Sequence, residues 1–134
     1  MGVAYFISAS DGDTSYSTMM DGKGLGRALD SVSCMGEDFG MPRLDAFVSQ
    51  SKEDIIEIMP QGFNSIDESK LPDEQWYDPK MGIQLIEQYI SKLKAYEYIY
   101  KDDKKDSLQD LNDMLSILKI LDNKGLKWHL TIDI

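Results

Sequence analysis

The sequence predicts an α+β domain: a small sheet from an N-terminal hairpin and a C-terminal strand, with four to five helices packed on it. Three observations carry this expectation. "LKWHLTIDI" alternates apolar and polar residues with period two, as a half-buried strand does. "VAYFISA" is a short apolar and aromatic run of strand length. Between them the apolar residues recur with the period of helices, and the simplest way to bury all these faces is a sheet with helices on it.

Taken in order, Val3 to Ala9 form the first strand. "SDGD" follows, and Asp-Gly between two strand-like runs signals a hairpin. "TSYSTMM" supplies its second strand, with Thr14, Tyr16, Thr18 and Met20 on one face. From Asp21 the period changes. Leu25, Ala28, Leu29 and Val32 fall at i, i+3, i+4 and i+7 of an amphipathic helix, capped by Asp21 and ended by Gly40 and Pro42.

"RLDAFV" reads as a helical turn with Leu44, Phe47 and Val48 inward. Ser51 is the expected N-cap of "KEDIIEIM", with Asp54 three residues on and Pro60 after the end. Residues 60–78 are the longest irregular stretch. Asp78-Pro79 then opens a helix by two means, a capping carboxylate and a ring preset for the first turn. Its stripe is Ile86, Tyr89, Ile90 and Leu93, with Tyr96 or Glu97 next. "KDDKKD" reads as a charged connector and Ser107 as the cap of the last helix, striped by Leu108, Leu111, Met114, Leu115, Leu118 and Leu121. Gly125 stands where a left-handed C-cap residue belongs. In the final strand Leu126, Trp128, Leu130, Ile132 and Ile134 take one face; Lys127, His129, Thr131 and Asp133 take the other. Residues 1–134 contain no repeat, no low-complexity tract and no sign of a second domain.

Charge narrows the partner. Fourteen Lys and Arg against 24 Asp and Glu give a formal −10. Such an excess argues against nucleic acid and anionic membrane surfaces and suits a basic protein partner, or simply solubility. Cys34 is the single cysteine, which excludes an internal disulfide and implies a reducing compartment. "MGVAYFISASDGD" has no Lys or Arg and too short an apolar run for a secretory signal. No stretch approaches the roughly 20 apolar residues of a membrane span. Gly2 lacks the downstream Ser or Thr of a myristoylation motif, since Phe6 stands there. A cytoplasmic location is expected.

Several chemical sites can be weighed. "DGKGLGRALD" has three glycines and a lysine, but Gly22, Gly24 and Gly26 match neither a Walker loop nor a dinucleotide fingerprint. The expectation is that Asp21 caps the helix while the glycines let its first turns lie close against the sheet. Cys34 and His129 would need to meet to act as nucleophile and base. Cys34 sits beside the Val32 position and reads as a small buried residue; His129 lies on the polar face of its strand and reads as exposed. One histidine and one cysteine make a structural zinc site untenable, and no acidic stretch has EF-hand spacing. No metal, no cofactor and no catalytic residue is expected. Met19, Met20 and Met41 near loops suit core filling or an adaptable interface.

The acidic segment within 60–78 is the strongest candidate. Asp67, Glu68, Asp73, Glu74 and Asp78 face one lysine there, beside Trp76 and Tyr77. An aromatic pair ringed by carboxylates suits a protein interface with charge steering at its rim. The bland alternative is that Trp76 and Tyr77 tuck beneath the loop while the acids are solvated.

"MGVAYFI", "QWYDPKMGIQLI" and "GLKWHLTIDI" resemble a family of small uncharacterised bacterial cytosolic proteins. As a type, a small acidic single-domain chain is also similar to the immunity proteins of bacterial toxin systems, including contact-dependent growth inhibition. The resemblance implies no catalytic residue. The leading expectation is an immunity-type inhibitor that masks a basic toxin domain, such as a nuclease, through Asp67, Glu68, Asp73, Glu74, Trp76, Tyr77 and Asp78. The alternative is a small enzyme or ligand-binding domain with a pocket between sheet and helices, using Tyr5, Arg27 and His129. A subunit that only self-associates is a third.

Overall fold

A computed structural model describes residues 3–58 and 72–133. The class is α+β. Strand β1 (Ala4–Ala9) pairs antiparallel with β2 (Trp128–Asp133), in register from Ala4 opposite Asp133 to Ala9 opposite Trp128. Helices α1 (Lys23–Asp38), α2 (Lys52–Ile58), α3 (Pro79–Ala95) and α4 (Lys101–Lys124) lie between them, with 3-10 helices at Thr14–Met19 and Leu44–Phe47.

The expected hairpin is not formed. β1 finds its partner at the other end of the described chain, and "TSYSTM" coils into a 3-10 helix. Its hydroxyls explain why: Ser17 Oγ donates to the Thr14 carbonyl and Thr18 Oγ1 to the Ser15 carbonyl, both at 2.7 Å. Such local bonds compete with a ladder. The Asp13 carboxylate accepts from the Ser15 amide at 2.9 Å and caps the turn, while Tyr16 and Met20 are buried.

The core is one cluster. α3 and α4 pack along each other, α1 packs on α4, and Leu25, Val32, Met35, Ile86, Leu93, Leu111, Met114, Leu118 and Leu121 are fully enclosed. Each such side chain contributes about 1.5–3 kcal/mol on removal from water, before the entropy of ordering it. Leu44 and Phe47 turn inward as the spacing predicts. Ser51 Oγ accepts from the Asp54 amide at 3.2 Å, the expected cap of α2. Gly125 takes φ 68° in the left-handed C-cap of α4.

Two expectations need correction. "KDDKKD" is no connector but the opening of α4, where Asp102 and Asp103 suit the positive end of the helix. Ser107 is therefore inside the helix, buried, with Oγ donating to the Gly24 carbonyl at 3.3 Å. In β2 the alternation does not survive as inside and outside. Trp128, His129, Leu130 and Thr131 are all buried, and only Lys127 and Asp133 of the polar face are exposed. The reason is that β2 has company on more than one side. Besides β1, it bridges Val48 in parallel and Tyr77 in antiparallel fashion; Tyr77 N donates to the Trp128 carbonyl at 2.8 Å and Trp128 N to that of Tyr77 at 3.1 Å.

Candidate functional site

The glycine-rich start of α1 is already occupied. Gly22 is its N-cap, in the left-handed region at φ 75°. The Gly22 and Leu25 amides, each at 3.0 Å, donate to the two carboxylate oxygens of Asp110, a buried residue in the middle of α4. A helix N-terminus whose amides hold a carboxylate has no place for a phosphate. Asp21 makes only a longer bond, accepting from the Lys23 amide at 3.3 Å, so the principal cap is Asp110 rather than Asp21. The glycines do what close packing asks of them. A Cβ at Gly22 would overlap the β1 backbone at Tyr5, one at Gly26 the backbone of Val3 just before β1, and one at Gly24 would overlap Asp106 of α4.

Cys34 and His129 are not brought together. Cys34 is exposed rather than buried, beside the Arg43 guanidinium at 3.4 Å. Arg43 gathers Asp45, Glu37 and Asp30 at 2.8–3.0 Å, tying α1 to the second 3-10 helix, and those carboxylates raise its pKa still further. Arg27 is likewise engaged, by Asp103 and Asp106 of α4. His129 is 1% exposed rather than on an open face.

What covers His129 is the segment that precedes α3. Glu74 Oε2 lies 2.9 Å from His129 Nε2, and the Trp76 ring lies on the imidazole with centroids 4.2 Å apart. On the other side Thr131 Oγ1 is 3.2 Å from His129 Nδ1, and Ser8 Oγ is 2.6 Å from Thr131 Oγ1. Ser8, Glu74 and Trp76 of this group form one wall of a cleft of about 350 Å³ beside β1, with His129 and Thr131 behind it. Phe6, Ser8 and Ser10 of β1, Asp13 and Thr14 at the first 3-10 helix, Ser51 and Asp54 at α2, and Glu74 with Trp76 line it. Among the described residues its charged lining groups are Asp13, Asp54 and Glu74, with no basic side chain among them. The bond from the Ser15 amide holds the Asp13 carboxyl below its ordinary range. Carboxylates beside an indole and a phenyl ring attract a cation and repel a phosphate.

The expected interface residues separate into different roles. Asp67 and Glu68 lie outside the described residues. Asp73 is exposed and pairs with Lys52 at 3.3 Å, a contact worth little at the surface. Glu74 and Trp76 meet in the cleft. Tyr77 is half-buried, bridged to Trp128 and edge-on to Phe47 with centroids 4.8 Å apart. Asp78 caps α3, accepting from the Lys80 amide at 2.9 Å. Tyr5 and Arg27 do not line the cleft, and His129 sits behind its wall. Asp13, Asp54 and Ser8 join it without having been read as site residues. Asp54 carried the signal of a cap and Asp13 that of a turn, and nothing local in either shows that the two face one space.

Among the described residues no group of three or more His, Cys, Asp or Glu is placed to hold a metal ion, and no helix is long and apolar enough to cross a membrane. No family model, curated protein or solved structure matches the chain.

Proposed function

We propose that the protein is a binding module for a basic partner, with the cleft over β1 as the seat for a lysine or arginine side chain of that partner. The observation that carries this reading is the lining itself: Asp13, Asp54 and Glu74 as its charged groups, walled by Trp76 and Phe6. A guanidinium seated there would meet carboxylates and stack on an aromatic face, and the −10 charge of the chain would speed its approach. The immunity-type inhibitor of a cytoplasmic toxin is the form of this function that best suits a small acidic domain, and a nuclease has the phosphate-binding, positive surface that such a cleft would mask.

A titration with short arginine-rich, lysine-rich and glutamate-rich peptides, read by Trp76 fluorescence, tests it. The basic peptides are expected to bind and to weaken steeply with salt, and Asp13→Asn with Asp54→Asn together should cost about tenfold, or 1.4 kcal/mol. Basic peptides that bind no better than acidic ones, or binding indifferent to the double variant, would remove the cleft from the interface. A second reading has one observation in its favour. The cleft's volume falls within the range of small-molecule sites. Saturable binding of free arginine or a polyamine as tight as that of the peptides would reassign it to a small cationic ligand.

A further inference from the structure

The hydrogen bonds around His129 have a direction. The Glu74 carboxylate can only accept, and its Oε2 lies 2.9 Å from His129 Nε2, so that nitrogen carries the proton of the neutral ring. Nδ1 is then an acceptor, and Thr131 Oγ1 at 3.2 Å is the donor that serves it. The Leu130 carbonyl, 3.1 Å from Nδ1, needs nothing from the ring because it accepts from the Ser49 amide at 2.9 Å. With its own proton spent, Thr131 Oγ1 accepts from Ser8 Oγ at 2.6 Å. The donors thus run one way, from Ser8 through Thr131 and His129 to Glu74, and both ends of the chain line the cleft. Ser8 has only lone pairs left to offer there, and Glu74 keeps Oε1.

We infer that His129 is the positioning residue of this cleft: by fastening Glu74 and seating Trp76 it shapes the place for an arginine side chain in preference to lysine. The inference rests on the reading of the cleft as a cation seat and names which cation it takes. A guanidinium is flat and carries five N–H donors, whereas an ammonium is compact and carries three. The flat group can bond a fixed carboxylate with two N–H at once and lie on an indole; the ammonium acts as a point charge. One imidazole holds both of the partners this needs. Glu74 is tied through Nε2–H, and the Trp76 ring lies on the imidazole with centroids 4.2 Å apart and planes tilted by 36°, which uses one indole face and leaves the other. His129 is itself 1% exposed, so it acts through these two side chains without touching the ligand. Asp13 and Asp54 add charge to the same space, which serves either cation. Charge alone would hold arginine and lysine alike; a fixed acceptor beside a fixed ring does not.

The chain has one histidine, so NMR of protein labelled with 15N-histidine reports this ring alone. At neutral pH and without ligand the ring is expected to be a single tautomer with its proton on Nε2. A proton on Nδ1, alone or together with Nε2, overturns the inference. Binding is then measured by calorimetry with three peptides that differ at one residue: arginine, lysine, or dimethylarginine, which keeps the charge and loses N–H donors. The arginine peptide should bind about tenfold tighter than either of the others. His129→Phe keeps a ring against Trp76 but offers Glu74 no donor, and should bring the three affinities together. His129→Gln, which restores a donor, should recover most of the preference. Glu74→Gln, which replaces an acceptor oxygen by a donor, should abolish it without altering the buried ring. A merely structural role for His129 would weaken all three peptides equally and leave their ratio unchanged, and that result overturns the inference. Equal affinity of the wild-type protein for arginine and lysine peptides also overturns it while the cation seat stands. Wild-type protein that binds none of the peptides removes the seat, and the preference with it.

Discussion

Two helices of this molecule begin with a carboxylate on their first amides, and the two carboxylates come from opposite kinds of place. Asp78 is the residue immediately before α3, exposed, followed by a proline already shaped for the first turn. Asp110 lies 88 positions beyond the Gly22 whose amide it receives, buried in a different helix. The first cap tells one helix where to start. The second joins α1 to α4 and, because the Gly22 carbonyl accepts from the Tyr5 amide at 3.0 Å, joins both to β1. A local cap sets a boundary; a remote one sets an arrangement.

That contrast can be broken at graded cost. Gly22→Ala should be the most damaging, on the order of 4 kcal/mol or more. It combines a left-handed backbone with a Cβ driven into the Tyr5 carbonyl, so β1 itself must move. Asp110→Ala leaves two buried amides without an acceptor and should cost about 3 kcal/mol in urea unfolding. Asp78→Ala should cost about 1 kcal/mol, since water can reach the freed amide. If the Asp78 and Asp110 variants prove equally costly, the distinction between boundary and arrangement fails.

The smallest effect is one of pH. Burial raises the Asp110 carboxyl above its ordinary 3.8, with the Leu25 and Gly22 amides opposing. The folded state therefore binds that proton more tightly than the unfolded chain. The stability it contributes is full below the unfolded value and declines as pH rises through the interval up to the folded one. Asp110→Asn should remove this decline from the acid limb of the stability curve, with Asp78→Asn at the exposed cap of α3 as the control.

The same contrast explains what the sequence makes legible. Asp78-Pro79, Ser51 and Gly125 act on amides and carbonyls within a few residues of themselves, so their positions betray their roles. The period of α3 and the inward turn of Leu44 and Phe47 are local in the same sense. Asp110 looks like any polar residue of a helix, and His129 like an outward residue of an alternating strand. Their surroundings come from β1, from α1 and from the stretch before α3, which no spacing within either element reveals. The hairpin failed as an expectation for a related reason: Asp-Gly can turn a chain, but whether a second strand follows depends on whether a better partner exists elsewhere. Glu74 and Trp76 were legible as candidates, though their tie to His129 was not.

The pairing of β1 with β2 has a consequence in time. Ser8 of the cleft and Thr131 behind it, which share a hydrogen bond, are 123 positions apart. During synthesis every described helix is made before the last strand, and such local structure forms far faster than a ladder that must close so long a loop. While β2 is missing, β1 has no partner, His129 is absent and Glu74 has nothing to fasten to. The contacts that hold Glu74 and Trp76 at the cleft therefore come only with β2, and the seat proposed above for a basic partner is not yet framed on a chain whose synthesis stops short of that strand.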